Sequence, residues 1–357
     1  MNANVELLHS MVATPSVSRD EAAVAELLVT HMNANGFDAH IDEVGNAIGL
    51  RTGGPAPDGA EQRSIVLLGH IDTVPGIFPV RIEDGILYGR GSVDAKGCMA
   101  TFTNAVAQVE PAPGVDIIVV GCVEEEVSSS RGARYAKGCF RPEACIIGEP
   151  SGWDAITIGY KGCLHFTAEF EAPVGHSAGP LPPVAEAAAE LWQVFKTWCS
   201  EHNVDKPRLF DQVLPSLQEF VTSTDGLHDR VHLRFGFRLP EDFELATFEA
   251  LIEQHAPGVP HKFYGHENAW SSKGSTPLAR AMRRSILRAG GKGALKKKTG
   301  TSDMNVVGPE WMCPILAYGP GDSTLDHTPN EHLPLKDYEQ AIEVLKGALV
   351  EGGWASA

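Results

Sequence analysis

Residues 66–76, VLLGHIDTVPG, decide how this chain is organised. Val66, Leu67 and Leu68 form an uninterrupted apolar run, the pattern of a strand buried on both faces of a sheet. Gly69 follows, then His70 and Asp72, and Pro75 and Gly76 close the segment as a turn. A core strand that ends by pushing out an imidazole and a carboxylate presents chemistry at its carboxyl end.

Three more apolar runs end in the same way. Val115 to Val120 leads into GCVEEEV, with Glu124, Glu125 and Glu126, and Ala144 to Ile147 leads into IIGEPSG, with Glu149. The fourth, CPILAYGPG at 313–321, is followed by Asp326 and His327. Helices are expected between the runs, one starting near Lys96 and one across SSSRGARYAKGCF at 128–140. Strands alternating with helices predict an α/β fold, a sheet wrapped by helices, and ligands in such folds bind outside the carboxyl ends of the strands. Asp94, in LYGRGSVDAKG at 87–97, lies just ahead of a helix and is placed to face the same edge.

Upstream, Val5 to Met32 has helical spacing, and FDAHIDEVGNAIGLR at 37–51 reads as two short strands. The middle of the chain has another texture. LHFTAEFEA and VHLRFGFRLP alternate as strands, whereas PPVAEAAAELWQVFKTWCS and ATFEALIEQHA have helical spacing. At 357 residues the chain exceeds one ordinary core. A strand, helix, strand, helix domain is therefore expected at 162–268, inserted into a larger one made of 1–161 and 269–357.

A formal charge of -17 argues against nucleic acid, whose phosphates call for clustered Lys and Arg, and against acidic membrane surfaces. With no basic, apolar leader pattern and no run of 18 apolar residues, the expected location is the cytoplasm. Seven cysteines without a CxxC pair read as free thiols in a reducing compartment.

Two histidines and several carboxylates without thiolates suit Zn²⁺ or a neighbouring first-row ion. So many acidic groups at one edge require cations, and two fit better than one.

GHIDTVPG, GRGSVDAKG, EEEVSSSRGA, IIGEPSG, GHSAGP, TGTSDM and HTPNEH resemble, in order and spacing, the dinuclear-zinc amidohydrolases and peptidases that include acetylornithine deacetylase, succinyl-diaminopimelate desuccinylase and carboxypeptidase G. The resemblance runs from about residue 60 to 335 and implies a mixed-sheet α/β/α catalytic domain with an inserted α+β lid that dimerises. It implies two Zn²⁺ per subunit, replaceable by Co²⁺ or Mn²⁺, with Asp94 bridging them. His70 and Glu149 would complete one ion, and Glu126 and His327 the other. Glu125 would be the general base, and Asp72 would fix the His70 tautomer from its far nitrogen. The implied reaction is hydrolysis of an amide, with Glu125 carrying the proton from water to the leaving amine.

Residues 175–179, GHSAG, also fit the G-x-S-x-G elbow of serine hydrolases, with Asp303 and His327 downstream. Pro180, Pro182 and Pro183 oppose the helix such an elbow needs. The family resemblance instead makes His176 an oxyanion-stabilising group in the active site of a homodimer partner.

Arg238, Lys161 and the Thr301, Ser302, Asp303 run match family positions that line the substrate pocket. Arg238 would grip a substrate carboxylate and Asp303 a cationic end. Within the family, the stretch from Leu67 to Gly97 looks most like hydrolases that release lysine or ornithine from the γ-glutamyl terminus of an amino-group carrier protein. Gly97, Cys98 and Met99 depart from the Gly-Pro-Leu expected there. The expected substrate is thus an N-acyl or carrier-protein-linked amino acid, and removal of acetyl or succinyl groups is the alternative. Lys296 to Lys298 read as a solvated face or as a dock for an acidic carrier.

Overall fold

The computed structural model, which describes residues 2–176, 179 and 183–356, makes the run ending at His70 the strand Arg63–His70. It pairs in parallel with Val115–Cys122 on one side and Ala144–Gly148 on the other, and Ile315–Tyr318 pairs in parallel with Ala144–Gly148. These four strands carry the four apolar runs. Because they point the same way, their carboxyl ends, and the acidic or imidazole residues that follow, emerge along one edge.

The sheet is mixed. Ala47–Thr52 pairs antiparallel with Val115–Cys122 and with Asp38–Ile41, and Ala155–Tyr160 pairs antiparallel with Ile315–Tyr318. Side-chain alternation divides the core between two faces. Ile65, Leu67, Ile117, Val119, Ile146 and Leu316 join the apolar core built with helices Ala3–Ala13, Ala22–Ala34, Lys96–Ala107, Pro277–Arg288 and Leu335–Glu351. Val66, Leu68, Val120 and Ile147 point the other way and are equally buried. On that side, helices Arg131–Cys139 and Asp303–Trp311 pack on one another and on the sheet.

The helix Lys96–Ala107 lies unusually close to the ends of the strands. Gly69 is paired with both Gly121 and Gly148. A Cβ on Gly69 would come within 2.7 Å of Met99 Sδ, and one on Gly148 within 3.0 Å of Phe102. Side-chain-free positions across three strands let this helix descend, which brings Asp94, two residues ahead of its first residue, to the edge.

Two units divide the chain. One comprises the described residues up to Gly159, Ser271–Lys297 and those from Ser302 onward; the other comprises Tyr160–Trp270 and Lys298–Thr301. The second unit therefore begins and ends about two residues outside the expected 162–268 and adds a short later segment.

That second unit is a four-stranded antiparallel sheet with Leu214–Thr224 at one edge, then His228–Leu239, Gly162–Pro173 and His261–Glu267. Leu164, Phe166, Phe235 and Phe237 pack with Phe195 of helix Val184–His202 and Phe248 of helix Ala246–His255. The two helices and two inner strands fall where the hydrophobic period places them. Both edge strands are additions, because Leu214–Thr224 buries almost none of its residues and so carries no alternation to read. No helix among the described residues is long and apolar enough to cross a membrane.

Candidate metal centre

The strand ends bring His70, Asp94, Glu125, Glu126, Glu149 and His327 together in the first unit. Asp94 is the centre of the arrangement. Its Oδ1 lies 3.1 Å from His70 Nε2, and its Oδ2 lies 3.1 Å from His327 Nε2. The Glu126 carboxylate sits at 3.0 and 3.1 Å from the same His327 nitrogen. Glu125 and Glu149 each place an oxygen 4.0 Å from His70 Nε2.

Two overlapping sets have one ligand atom from each residue within 4.8 Å of all the others: His70, Glu125 and Glu149, and His70, Asp94 and Glu126. The donor chemistry suits a pair of first-row cations, since imidazoles and carboxylates converge without a thiolate. Four carboxylates gathered in so buried a place call for positive charge.

The electrostatics of the protein alone say the same. Burial pushes the Glu125 carboxyl well above the ordinary range against the pull of His70, with the Glu149 charge adding to the rise, and burial also raises Glu126, with Asp94 adding to it. Burial works to raise Asp94 too, but the His327 and His70 imidazoles outweigh it and hold Asp94 low. The Asp94 and Glu126 carboxylates lift His327 to about 10. For His70, burial acts to strip the proton, yet Asp72 and Asp94 hold the imidazole well above its usual range.

The glutamate run separates by geometry. Glu124 turns away, accepting from Ser129 Oγ at 2.6 Å and pairing with Arg131 at 3.0 Å. Asp72 sets the other two, because its carboxylate accepts the Glu125 and Glu126 amides at 3.1 Å each and the Ser18 hydroxyl at 2.7 Å. The far nitrogen of His70 lies 3.0 Å from the Asp72 carbonyl and 3.4 Å from its carboxylate. Both the carbonyl and the carboxylate of Asp72 thus face that nitrogen.

Two of the residues assigned to substrate from the sequence have internal tasks instead. Lys161 is fully buried, and its ammonium donates to the carbonyls of Leu209, Phe210 and Gln212. An ammonium has three donors, so none is left for a substrate. Ser302 caps the helix Asp303–Trp311 in a capping box with Asn305. Arg238 keeps an exposed position in the second unit, donating to Thr301 Oγ1 at 2.8 Å, while Thr301 donates to the Lys161 carbonyl at 3.0 Å. Asp303 is buried, which pushes its carboxyl up to about 7, and neither oxygen meets a hydrogen-bond donor among the described residues. His176 is exposed. Ser177, the nucleophile of the elbow reading, lies outside the described residues, as do Pro180 and Pro182. In the lysine run, Lys296 donates to the Ser151 carbonyl at 2.7 Å.

Sequence reasoning passed over Arg90, Lys96 and Glu331, three buried charges beside the acidic cluster. Lys96 donates to the Thr14 carbonyl at 2.7 Å, and burial pushes its ammonium down to about 8 against the pull of Glu331 and Asp72. Arg90 stands between two glycines and Glu331 within HTPNEH, so the signal available was membership of motifs already read for other residues.

Residues 66–351 match Peptidase family M20/M25/M40. A relative from Deinococcus radiodurans, named LysW-lysine hydrolase, is 43% identical over 96% of this chain and 95% of its own length. One from Thermococcus kodakarensis, named putative LysW-lysine/LysW-ornithine hydrolase, is 40% identical over 97% of this chain and 91% of its own. Among solved structures, an M20 family metallo-carboxypeptidase from Sulfolobus solfataricus superposes with a TM-score of 0.76 at 16% identity, covering 99% of this chain and 100% of that one.

Proposed function

We propose a substrate for this chain, which belongs to peptidase family M20/M25/M40: a basic amino acid, lysine or ornithine, held by an amide bond on the carrier LysW. The chain is a metal-dependent amidohydrolase. One observation carries the assignment of roles. The Asp94 carboxylate offers one oxygen toward His70 and the other toward His327, as a bridge between two cations requires.

In this reading His70 and Glu149 would hold one ion, Glu126 and His327 the other, and Asp94 would contribute to both. Zn²⁺ is the proposed ion, with Co²⁺ or Mn²⁺ able to replace it. Two such cations supply Lewis acidity, which lowers the proton affinity of water and polarises an amide carbonyl. Glu125 takes the water proton and hands it to the departing amine, a task helped by a burial that makes its carboxyl more basic. Asp72 keeps Glu125 and Glu126 in place through their amides.

The relatives' names support the carrier-linked substrate. Arg238, with its exposed guanidinium, is the proposed partner for a substrate carboxylate, and Asp303, whose oxygens meet no donor among the described residues, for a cationic side chain. A homodimer in which His176 serves the neighbouring subunit completes the reading. It is supported by the edge strand Leu214–Thr224, which exposes Leu217, Phe220 and Val221 beside unpaired backbone. Seven free cysteines go with a cytoplasmic site of action.

The test is a panel of N-acetyl-lysine, N-acetyl-ornithine, N-succinyl-diaminopimelate and a γ-glutamyl-lysine carrier tail, assayed before and after chelation. The carrier tail should be cut fastest, activity should vanish with chelation and return with Zn²⁺, and a serine-directed fluorophosphonate should have no effect. Preference for succinyl-diaminopimelate overturns the substrate, and inactivation by the fluorophosphonate revives the serine. A light-scattering mass equal to a single chain removes the dimer.

A further inference from the structure

Glu331 is wholly buried, and both of its carboxylate oxygens are engaged. Oε2 accepts from Arg90 Nη1 at 2.7 Å. Oε1 accepts from the amides of Val93 at 2.9 Å and Asp94 at 3.1 Å. The other terminal nitrogen of Arg90 donates to the carbonyl of His327 at 3.3 Å, and the Gly89 amide donates to the Glu331 carbonyl at 3.3 Å. One ion pair thus grips the backbone of the residue that faces both imidazoles and the backbone of one of those imidazoles.

A buried ion pair is a poor device for stability alone, because desolvating two charges costs about what their attraction returns, and apolar residues of similar size often do as well. What this pair supplies is fixed spacing. An arginine fork spans two acceptors in a set plane, which a lysine ammonium cannot do. A carboxylate that accepts two successive amides likewise sets the direction in which the next side chain leaves the backbone. Ligands must be held to within about 0.5 Å to bind a cation well, and residues that orient ligands from behind change metal affinity by roughly 10- to 100-fold.

We propose that Arg90 and Glu331 are a positioning pair that fixes the separation of Asp94 and His327, and through it the affinity of the site for the cation on the His327 side. The inference rests on the two-cation reading of the same centre. Neither residue touches the reacting atoms, and the cation on the Glu149 side feels the pair through Asp94 alone, whereas the one on the His327 side feels it through both Asp94 and His327.

The experiment titrates Zn²⁺ into metal-free wild type, Glu331→Gln and the double variant Arg90→Gln with Glu331→Gln, alongside melting temperatures and steady-state kinetics. In the variants one Zn²⁺ equivalent should weaken by about 10- to 100-fold and the other, which shares only Asp94 with the pair, by clearly less. KM should hold, and kcat should fall at limiting Zn²⁺ and recover with excess. If Glu331→Gln does not fold because it strands the arginine charge, the double variant, which buries no unpaired ion, carries the same expectation. Unchanged affinity for both equivalents in a folded variant, whatever its melting temperature, overturns the positioning role and leaves the two-cation reading standing. Wild type that takes up fewer than two equivalents sinks that reading, and this inference with it.

Discussion

Loading the centre with metal should expel protons, and the number can be worked from the side chains. In the metal-free protein Asp94 and Glu126 lift His327 to about 10, and Asp72 and Asp94, against burial, hold His70 well above its usual range, so both imidazoles are expected to carry a proton at neutral pH. A metal ligand must be a neutral imidazole, so binding two cations releases two protons from these rings, and more if Glu125 gives up one of its own. The sign follows from linkage: the metal-free state binds more protons, so affinity rises with pH. Between pH 6 and 8 the product of the two association constants should grow about 100-fold per pH unit, about 2.7 kcal/mol for two protons. Because the His327 ring is half exposed, solvent weakens the pull on it. Calorimetric titration in two buffers of different protonation enthalpy counts the protons directly. Release of fewer than about one proton, or an affinity flat from pH 6 to 8, would refute the reasoning.

The glutamates divide by what they do. Glu125→Gln should keep its metal and lose activity by about 10²-fold or more, as measured by metal analysis beside kcat, whereas Glu126→Gln should lose metal. Exchange of the two phenotypes would mean the run has been assigned one residue out of step. Lys161→Met should lower stability by about 2 to 4 kcal/mol, since it leaves three carbonyls without their buried donor, with KM unchanged in whatever stays folded. A raised KM with an unaltered denaturation midpoint would return Lys161 to the substrate.

The site was legible in the sequence because its residues follow apolar runs whose burial is unmistakable. Four strands of one direction cannot avoid bringing their ends together, which gathers His70, the glutamates 124–126, Glu149 and the Asp326–His327 pair from the sequence; the choice of Glu125, Glu126 and His327 among them comes from the family resemblance. Position along the chain says nothing, however, about which partner a buried charge finds. Arg90 meets Glu331 across more than half the chain, and Lys161 turns inward to a 3₁₀ turn, Leu209–Asp211, that has no apolar period of its own. The same limit hid Leu214–Thr224. An edge strand held by a single neighbour and wet on nearly every residue is specified by backbone pairing, which leaves no mark on composition.

The pairing of Ile315–Tyr318 with Ala144–Gly148 has a consequence for the order in which a ribosome can deliver this molecule. Everything in the inserted unit from Tyr160 to Trp270 is synthesised between those two partners. That unit's strands pair with one another and need nothing made later except the short 298–301 segment, so it can form while the larger sheet waits. During the wait Ala144–Gly148, five residues buried in the finished protein, has an open flank able to template the wrong strand. Slower elongation through the insert lengthens that exposure, and a nascent chain halted before residue 315 is the form most in need of a chaperone. His327 emerges later still, so in the proposed two-cation reading the set of ligands is completed only near the end of synthesis.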